Sequence, residues 1–545
     1  MVKPKVLLIT GDLVHATGAD NRKNEQYTLE WTIYRETILE SGVLDSVKVL
    51  DLLGNHDSFN SVTGEAGSLQ ENAISDKNEM IFDENEVGSS LKFVPVQLAS
   101  FPGIGKPFNF IGHVQNENLV FSSKNEQKNE QKQEQRNSEN TTENSSNMTF
   151  YYGHYPTSTI SGAYSLRSLF REQATAYFSG HLHNGYGWLP EMKVLNRRVG
   201  QGAYLEAELA DWKDHRIFRV CVVDNGVFSY RDFGFWDEET SLIVQTHPKW
   251  TVKIPGKEPV FTENLMEIRF FLFDLAEIGI VELKSGEIDT SGEIHTSCNI
   301  KNLPLVACPV LEKTESYQVY VNNKQIKNTT LRGLSSYSKS EVQDSSGPFI
   351  RLILLVYYEI ITPCLYYALI LSGYFYLSYL HIIFPSLTFS RLFKNSKLAG
   401  AVKLWLFVGM FGPWYFDRLS GEYYGLVFPW GIFLKVDGGI VFRWEPSLYF
   451  SGFKQLIGFW FPFVVMAPFG IDSAWKNGRW TGKSKFLMIF VYSSFAFYQF
   501  YAAYKFTKYY TILSFVSPYT TGAAILILYF IHACNTDGSF RLTRV

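Results

Sequence analysis

Four short motifs join glycine to carboxylate, amide and imidazole side chains: Gly11-Asp12, Gly54-Asn55-His56-Asp57, Gly153-His154 and Gly180-His181-Leu182-His183. Oxygen and nitrogen donors of these kinds converge on hard or borderline divalent metals. A glycine ahead of each lets the backbone turn sharply and approach closely. Singly the motifs are weak, because Gly-Asp is common and lone histidines such as His15 or His113 are more often solvated or core residues. Together, in this order, they form a specific set. The alternation His181-x-His183 turns both imidazoles toward one site where a strand breaks into a loop.

Each motif follows a short apolar run: Lys5–Thr10, Val47–Leu53, Thr149–Tyr152 and Thr175–Ser179, with a helical pattern over Tyr27–Leu39 between the first two. The first run reads as a buried strand with no signal peptide in front of it. Strands ending in polar loops, with helix between them, predict a layered α/β sheet with its site at the strand C-termini. Ser122–Asn147 has no aromatic or aliphatic side chain and is expected to be a disordered insertion, 122–147, in a domain covering 1–236. Arg216–Val223, Asp224-Asn225-Gly226 and Val227–Asp232 spell a hairpin. Alternating segments at Met266–Phe273, Ile278–Leu283 and Tyr317–Val321 predict a small β-sandwich within 247–345.

Charge separates the chain into two parts. Of 545 residues, 46% are hydrophobic and the net charge is −3; Arg351–Val545 holds 17 basic and 7 acidic residues, which gives +10 there and −13 before it. Uncharged stretches of 31, 17, 19 and 28 residues run over Ile360–Ser390, Gln455–Ile471, Phe486–Tyr504 and Tyr509–Thr536. Burying that much apolar surface takes a bilayer, so a purely soluble enzyme and a disordered scaffold are excluded, and five cysteines are too few for a disulfide framework. Residues 350–534 are expected to be an all-α transmembrane bundle of about five spans, near Leu352–Leu387, Leu398–Phe416, Gly452–Phe469, Phe486–Tyr504 and Thr511–Ala533. Tyr423–Leu434, interrupted by Pro429 and Gly431, is expected to be re-entrant or interfacial. Basic loops at Arg391–Lys403 and Lys476–Lys485 are cytoplasmic under the positive-inside rule, which puts the acidic domain in the lumen or outside and the C-terminus in the cytosol.

The motif series resembles the calcineurin-like metallophosphoesterases, which implies a four-layered α/β/β/α fold with a two-metal site at the strand ends. The similarity is closest to a subgroup with a β-domain and several membrane spans, and extends through Pro102–Gly112, Gly153–Ile160, Tyr177–His183 and Leu205–Tyr230, including Asp211–Arg216. By this resemblance Asp12 bridges both metals, Asn55, His154 and His181 complete one site, and His183 belongs to the other. His56 stands at the leaving-group oxygen as general acid with Asp57 orienting it, and a metal-bound hydroxide attacks phosphorus in line. The ligands suit Mn²⁺, Fe or Zn²⁺.

The family's Asp-x-His ahead of the Gly-Asp strand is absent, so one metal site is complete and the other has only Asp12 and His183. The expected partners are a phosphoester substrate and a lipid bilayer, without nucleic acid. The alternative is a catalytically impaired relative serving as a lumenal binding domain of a membrane receptor, transporter or assembly factor. Sequons stand at Asn140, Asn144, Asn147 and Asn328, and Cys298 and Cys308 either pair or stay free.

Overall fold

The computed structural model describes, with short gaps, residues 3–114, 148–183, 204–249, 267–332, 358–383 and 411–445, and scattered positions between 404 and 507. The expected insertion at 122–147 and the expected spans Gly452–Phe469 and Thr511–Ala533 lie outside the described residues.

Val6–Ile9 pairs in parallel with Lys48–Asp51, Ile9 opposite Asp51, so both chains leave the sheet at the same edge. A five-stranded sheet runs in the order 80–84, 89–96, 148–153, 176–179, 205–208. Its last four strands are mutually parallel. Met148–Gly153 is apolar nearly throughout, as a strand covered on both faces requires. One face meets the smaller sheet and the hairpin Ile217–Gly234, with Leu50, Phe150, Phe178 and Phe228 packed together. Helix Ala163–Gln173 covers the other face through Leu166 and Phe170, against Tyr151 and Tyr177. Beyond the smaller sheet, Trp31 of helix Thr28–Glu40 packs on Val14, Leu53 and Phe59. The layers therefore run helix, sheet, sheet, helix.

The hairpin turns at Asn225 and Gly226, both at positive φ (47° and 76°), the primed turn that matches strand twist. Two further sheets, one of Ile243–His247, Glu267–Leu272 and Leu305–Pro309, the other of Val281–Ser285, His295–Ser297, Ser316–Val321 and Lys324–Arg332, enclose a common core. That sandwich-like unit begins at Ile243, slightly ahead of the expected boundary, and Cys298 and Cys308 are disulfide-bonded within it. Asp224 of the hairpin accepts from Arg269 of the sandwich and from Thr246, which ties the two units together.

The all-α reading of 350–534 requires correction. Tyr415–Ser420, Tyr423–Phe428, Gly431–Val436 and Gly439–Arg443 form a four-stranded antiparallel meander. It includes the end of the expected span Leu398–Phe416 and the whole of the piece expected to be re-entrant. Links of two residues at Pro429-Trp430 and Asp437-Gly438 favour hairpins over helix. Helix Tyr358–Ile383 packs Tyr366 against Trp414 and Tyr449, while Leu365, Leu369, Phe375 and Tyr379 stay exposed. Among the described residues no helix is long and apolar enough to cross a membrane.

Candidate metal centre

Four strand ends deliver four donors to one point. Asp12 follows Val6–Ile9, Asn55 follows Lys48–Asp51, His154 follows Met148–Gly153 and His181 follows Ala176–Ser179. His154 Nε2 stands 3.0 Å from Asn55 Oδ1, 3.1 Å from His181 Nδ1 and 3.4 Å from Asp12 Oδ1; His181 Nδ1 is 3.2 Å from Asn55 Oδ1. Ligands bound at about 2.1 Å around one ion stand roughly 3.0–3.4 Å apart, so the spacing is that of a coordination shell.

The backbone makes this approach by unusual means. Asp12 and His181 both adopt positive φ, 56° and 80°, a conformation that costs about 1–3 kcal/mol and is concentrated at functional sites. Gly11 and Gly54 leave room for it: a Cβ on Gly54 would collide with Asp12 Oδ1 and lie 2.8 Å from the His154 ring, and one on Gly11 would lie 2.7 Å from His154 Nδ1.

Neighbours orient each donor. His154 donates its Nδ1–H to the Thr10 carbonyl at 2.8 Å, which leaves the Nε2 lone pair facing inward. Asn55 donates from Nδ2 to the Asn109 carbonyl at 3.1 Å, which leaves Oδ1 inward. Burial acts against ionisation of Asp12, but His154, His56 and His181 outweigh it and bring the carboxyl down to about 2. Burial keeps His181 neutral, far below the ordinary imidazole range, reinforced by His154. A lone pair, an amide oxygen and a carboxylate oxygen thus crowd together with no hydrogen between them. That donor set fits a divalent cation and little else. Among the described residues no group of three or more His, Cys, Asp and Glu side chains by themselves is placed to hold a metal ion; the cluster reaches four donors with the Asn55 amide.

The remaining expected residues divide. His56 lies beside the cluster: its amide donates to Asp12 Oδ1 at 3.0 Å and its Nε2 is 4.0 Å from Asp12 Oδ2. Its Nδ1–H goes to the His15 carbonyl at 2.6 Å, and Phe59 flanks the ring. Burial, opposed by Asp12, lowers its pKa to about 4. The Asp57 carboxylate accepts the backbone N–H groups of Leu13, Val14 and Gly54 at 3.1, 3.0 and 2.7 Å, clamping the Asp12 loop to the Asn55 loop. Burial and the nearby Asp12 raise its pKa to about 7 against those three donors. His183, at φ 56°, makes no hydrogen bond to the four donors, and its charge is felt instead by Asp211, which holds His215.

Other residues of the site had no legible motif. Glu208 accepts the Leu182 N–H at 2.8 Å, fixing the backbone between His181 and His183. Asn109 accepts from Asn55 and donates from Nδ2 to Ser58 Oγ at 3.0 Å, closing a ring because Ser58 donates to the Asn55 carbonyl. Its only signal was membership of the segment Pro102–Gly112.

Residues 2–185 match the calcineurin-like phosphoesterase family model. The mouse (Mus musculus) protein named transmembrane protein 62 is 28% identical over 493 residues, which cover 85% of this chain and 71% of its own. An Arabidopsis thaliana protein with a metallophosphoesterase name is 24% identical over 292 residues, 46% of this chain and 38% of its own. With the strand-end motifs and the layered sheets, these matches make residues 2–185 similar to the calcineurin-like phosphoesterases.

Proposed function

We infer that the chain is a membrane-anchored, metal-dependent phosphoesterase acting on a phosphomonoester or phosphodiester. The observation that carries this is the convergence of Asp12, Asn55, His154 and His181 at hydrogen-bond spacing with their electron pairs turned inward. These four residues would hold the ion, with His183 and Asp12 facing a second one. A divalent ion there supplies Lewis acidity toward phosphoryl oxygens and lowers the pKa of a water ligand. Asp12, ionised throughout the physiological range, adds the negative charge that retains a cation. His56 stands one side chain away, its Nδ1–H on the His15 carbonyl and its Nε2 4.0 Å from Asp12 Oδ2; protonated at Nε2, it would give that proton to the leaving oxygen. Asp57 keeps the two loops in register.

Membrane attachment rests on the uncharged stretches of the basic C-terminal part, on the apolar exposed face of helix Tyr358–Ile383 and on similarity to a protein whose name is transmembrane. A lumenal or extracellular placement of the phosphoesterase and sandwich units is supported by the Cys298–Cys308 disulfide, which persists in oxidising compartments.

A panel of phosphomonoesters and phosphodiesters, assayed with the full chain before and after chelation and with Mn²⁺, Fe²⁺ or Zn²⁺ restored, tests the reading. Hydrolysis that disappears with chelator and returns with metal is expected. A chain that retains metal yet hydrolyses nothing on the panel supports the lumenal binding domain.

A further inference from the structure

The C-terminal meander grips the phosphoesterase domain at the loops that carry the metal-site residues. Gly421 donates its N–H to Asn60 Oδ1 at 2.6 Å and Ser420 Oγ donates to the Ser61 carbonyl at 3.4 Å. On the last strand Arg443 donates from Nη2 to Asn109 Oδ1 at 3.1 Å and from Nη1 to the Pro102 carbonyl at 3.5 Å, bridging 334 and 341 residues of chain. The guanidinium is held from behind by Glu445, whose Oε2 lies 3.6 Å from Arg443 Nε and 3.4 Å from His113 Nε2. Glu445 is fully buried, so its charge fixes Arg443 in place rather than solvating a surface.

Asn109 is the group Arg443 reaches, and Asn109 sets the orientation of the Asn55 amide. Its carbonyl takes Asn55 Nδ2, and its side chain, with Oδ1 on Arg443 and Nδ2 on Ser58, cannot turn without losing both bonds. We propose that Arg443 is a positioning residue through which the C-terminal meander sets the Asn55 ligand and hence the metal affinity of the N-terminal site. This rests on the phosphoesterase reading above. Hydrogen-bonded partners behind a metal ligand typically govern affinity or activity by about 10–100-fold, whether or not they touch the ion. A purely structural role for Arg443 would lower stability and leave the affinity of the folded chain alone.

The test uses the full chain purified in detergent, with Mn²⁺ titrated calorimetrically and bis(p-nitrophenyl) phosphate as the turnover probe. R443M and N109A are each expected to weaken Mn²⁺ binding about tenfold or more, with kcat at subsaturating metal falling in step and KM for the diester unchanged. The double variant R443M/N109A is expected to be no worse than N109A, because both act through one amide. R443K, which keeps a donor for Asn109 Oδ1, recovers part of the affinity and supplies the measurement if R443M does not fold. R418M, on the same sheet but paired with exposed Glu422, binds as the wild type does. Wild-type affinity in a folded R443M or in N109A, or losses that multiply in the double variant, overturns the link while leaving the metal site standing. A wild-type chain that binds no Mn²⁺ overturns the phosphoesterase reading and the link with it.

Discussion

The Nδ1–H of His154 donates to the carbonyl of Thr10 at 2.8 Å across 144 residues of chain. The end of the first strand thereby fixes the ring of a histidine on the central strand of the other sheet, and the same backbone turns through Gly11 to present Asp12. Ligand orientation and sheet pairing are therefore one structural fact, and the first substitutions to make are those that separate them.

Gly54→Ala places a methyl group against Asp12 Oδ1 and the His154 ring. The strands beneath are untouched, so the variant is expected to fold while metal affinity falls by at least about 10-fold, the scale on which displaced neighbours of a metal ligand act. Circular dichroism beside a Mn²⁺ titration checks it. Retention of wild-type affinity would mean that Asp12 and His154 do not share an ion.

His56→Ala is expected to keep metal content and lower turnover by about 10² to 10⁴, the usual contribution of a positioned proton donor. Its Nε2 lies 4.0 Å from Asp12 Oδ2, outside the cluster of mutually touching donors. Steady-state kinetics with elemental analysis separates the two effects, and loss of metal in this variant would move His56 into the ligand set.

Asp57→Ala removes the acceptor of three backbone N–H groups in a fully buried place. Each orphaned donor costs about 1–3 kcal/mol, so the melting temperature is expected to drop by well over the effect of a surface substitution, with metal lost as the two loops part. Asp57→Asn, which keeps one acceptor oxygen, should fall between. An Asp57→Ala variant as stable as the wild type would show that the clamp is dispensable.

The charge pattern predicts the sidedness of the chain. Epitope tags at the C-terminus and within 122–147 are expected on opposite faces of the membrane in a protease-protection assay, with Asn328 glycosylated on the side of the acidic domain. Two tags protected together would contradict the proposed placement of the acidic domain and the C-terminus on opposite sides.

Much of this site was legible because its signals are local. The hairpin Ile217–Gly234 announced itself through Asn225-Gly226, since few residue pairs accept two successive positive φ values. The strand ends were legible through apolar runs that stop at glycine. The clamp made by Asp57 was not legible, because its carboxylate turns back to amides of the preceding loop more than forty residues away. Arg443 carried no signal and Asn109 only its place in Pro102–Gly112, because their meaning lies in pairings across 54 and 334 residues. Tyr423–Leu434 was read as a re-entrant or interfacial piece because it carries no charge; the two-residue links at Pro429-Trp430 and Asp437-Gly438 were the better guide.

Metal content of the purified full chain is the most direct measurement. Elemental analysis after exhaustive dialysis is expected to find close to one tightly held divalent ion per chain, since Asp12, Asn55, His154 and His181 form one complete donor set. The ion should be lost in His181→Ala and retained in His56→Ala. A wild-type chain that holds no divalent ion, or a His181→Ala chain that holds it undiminished, would contradict a metal centre at these strand ends.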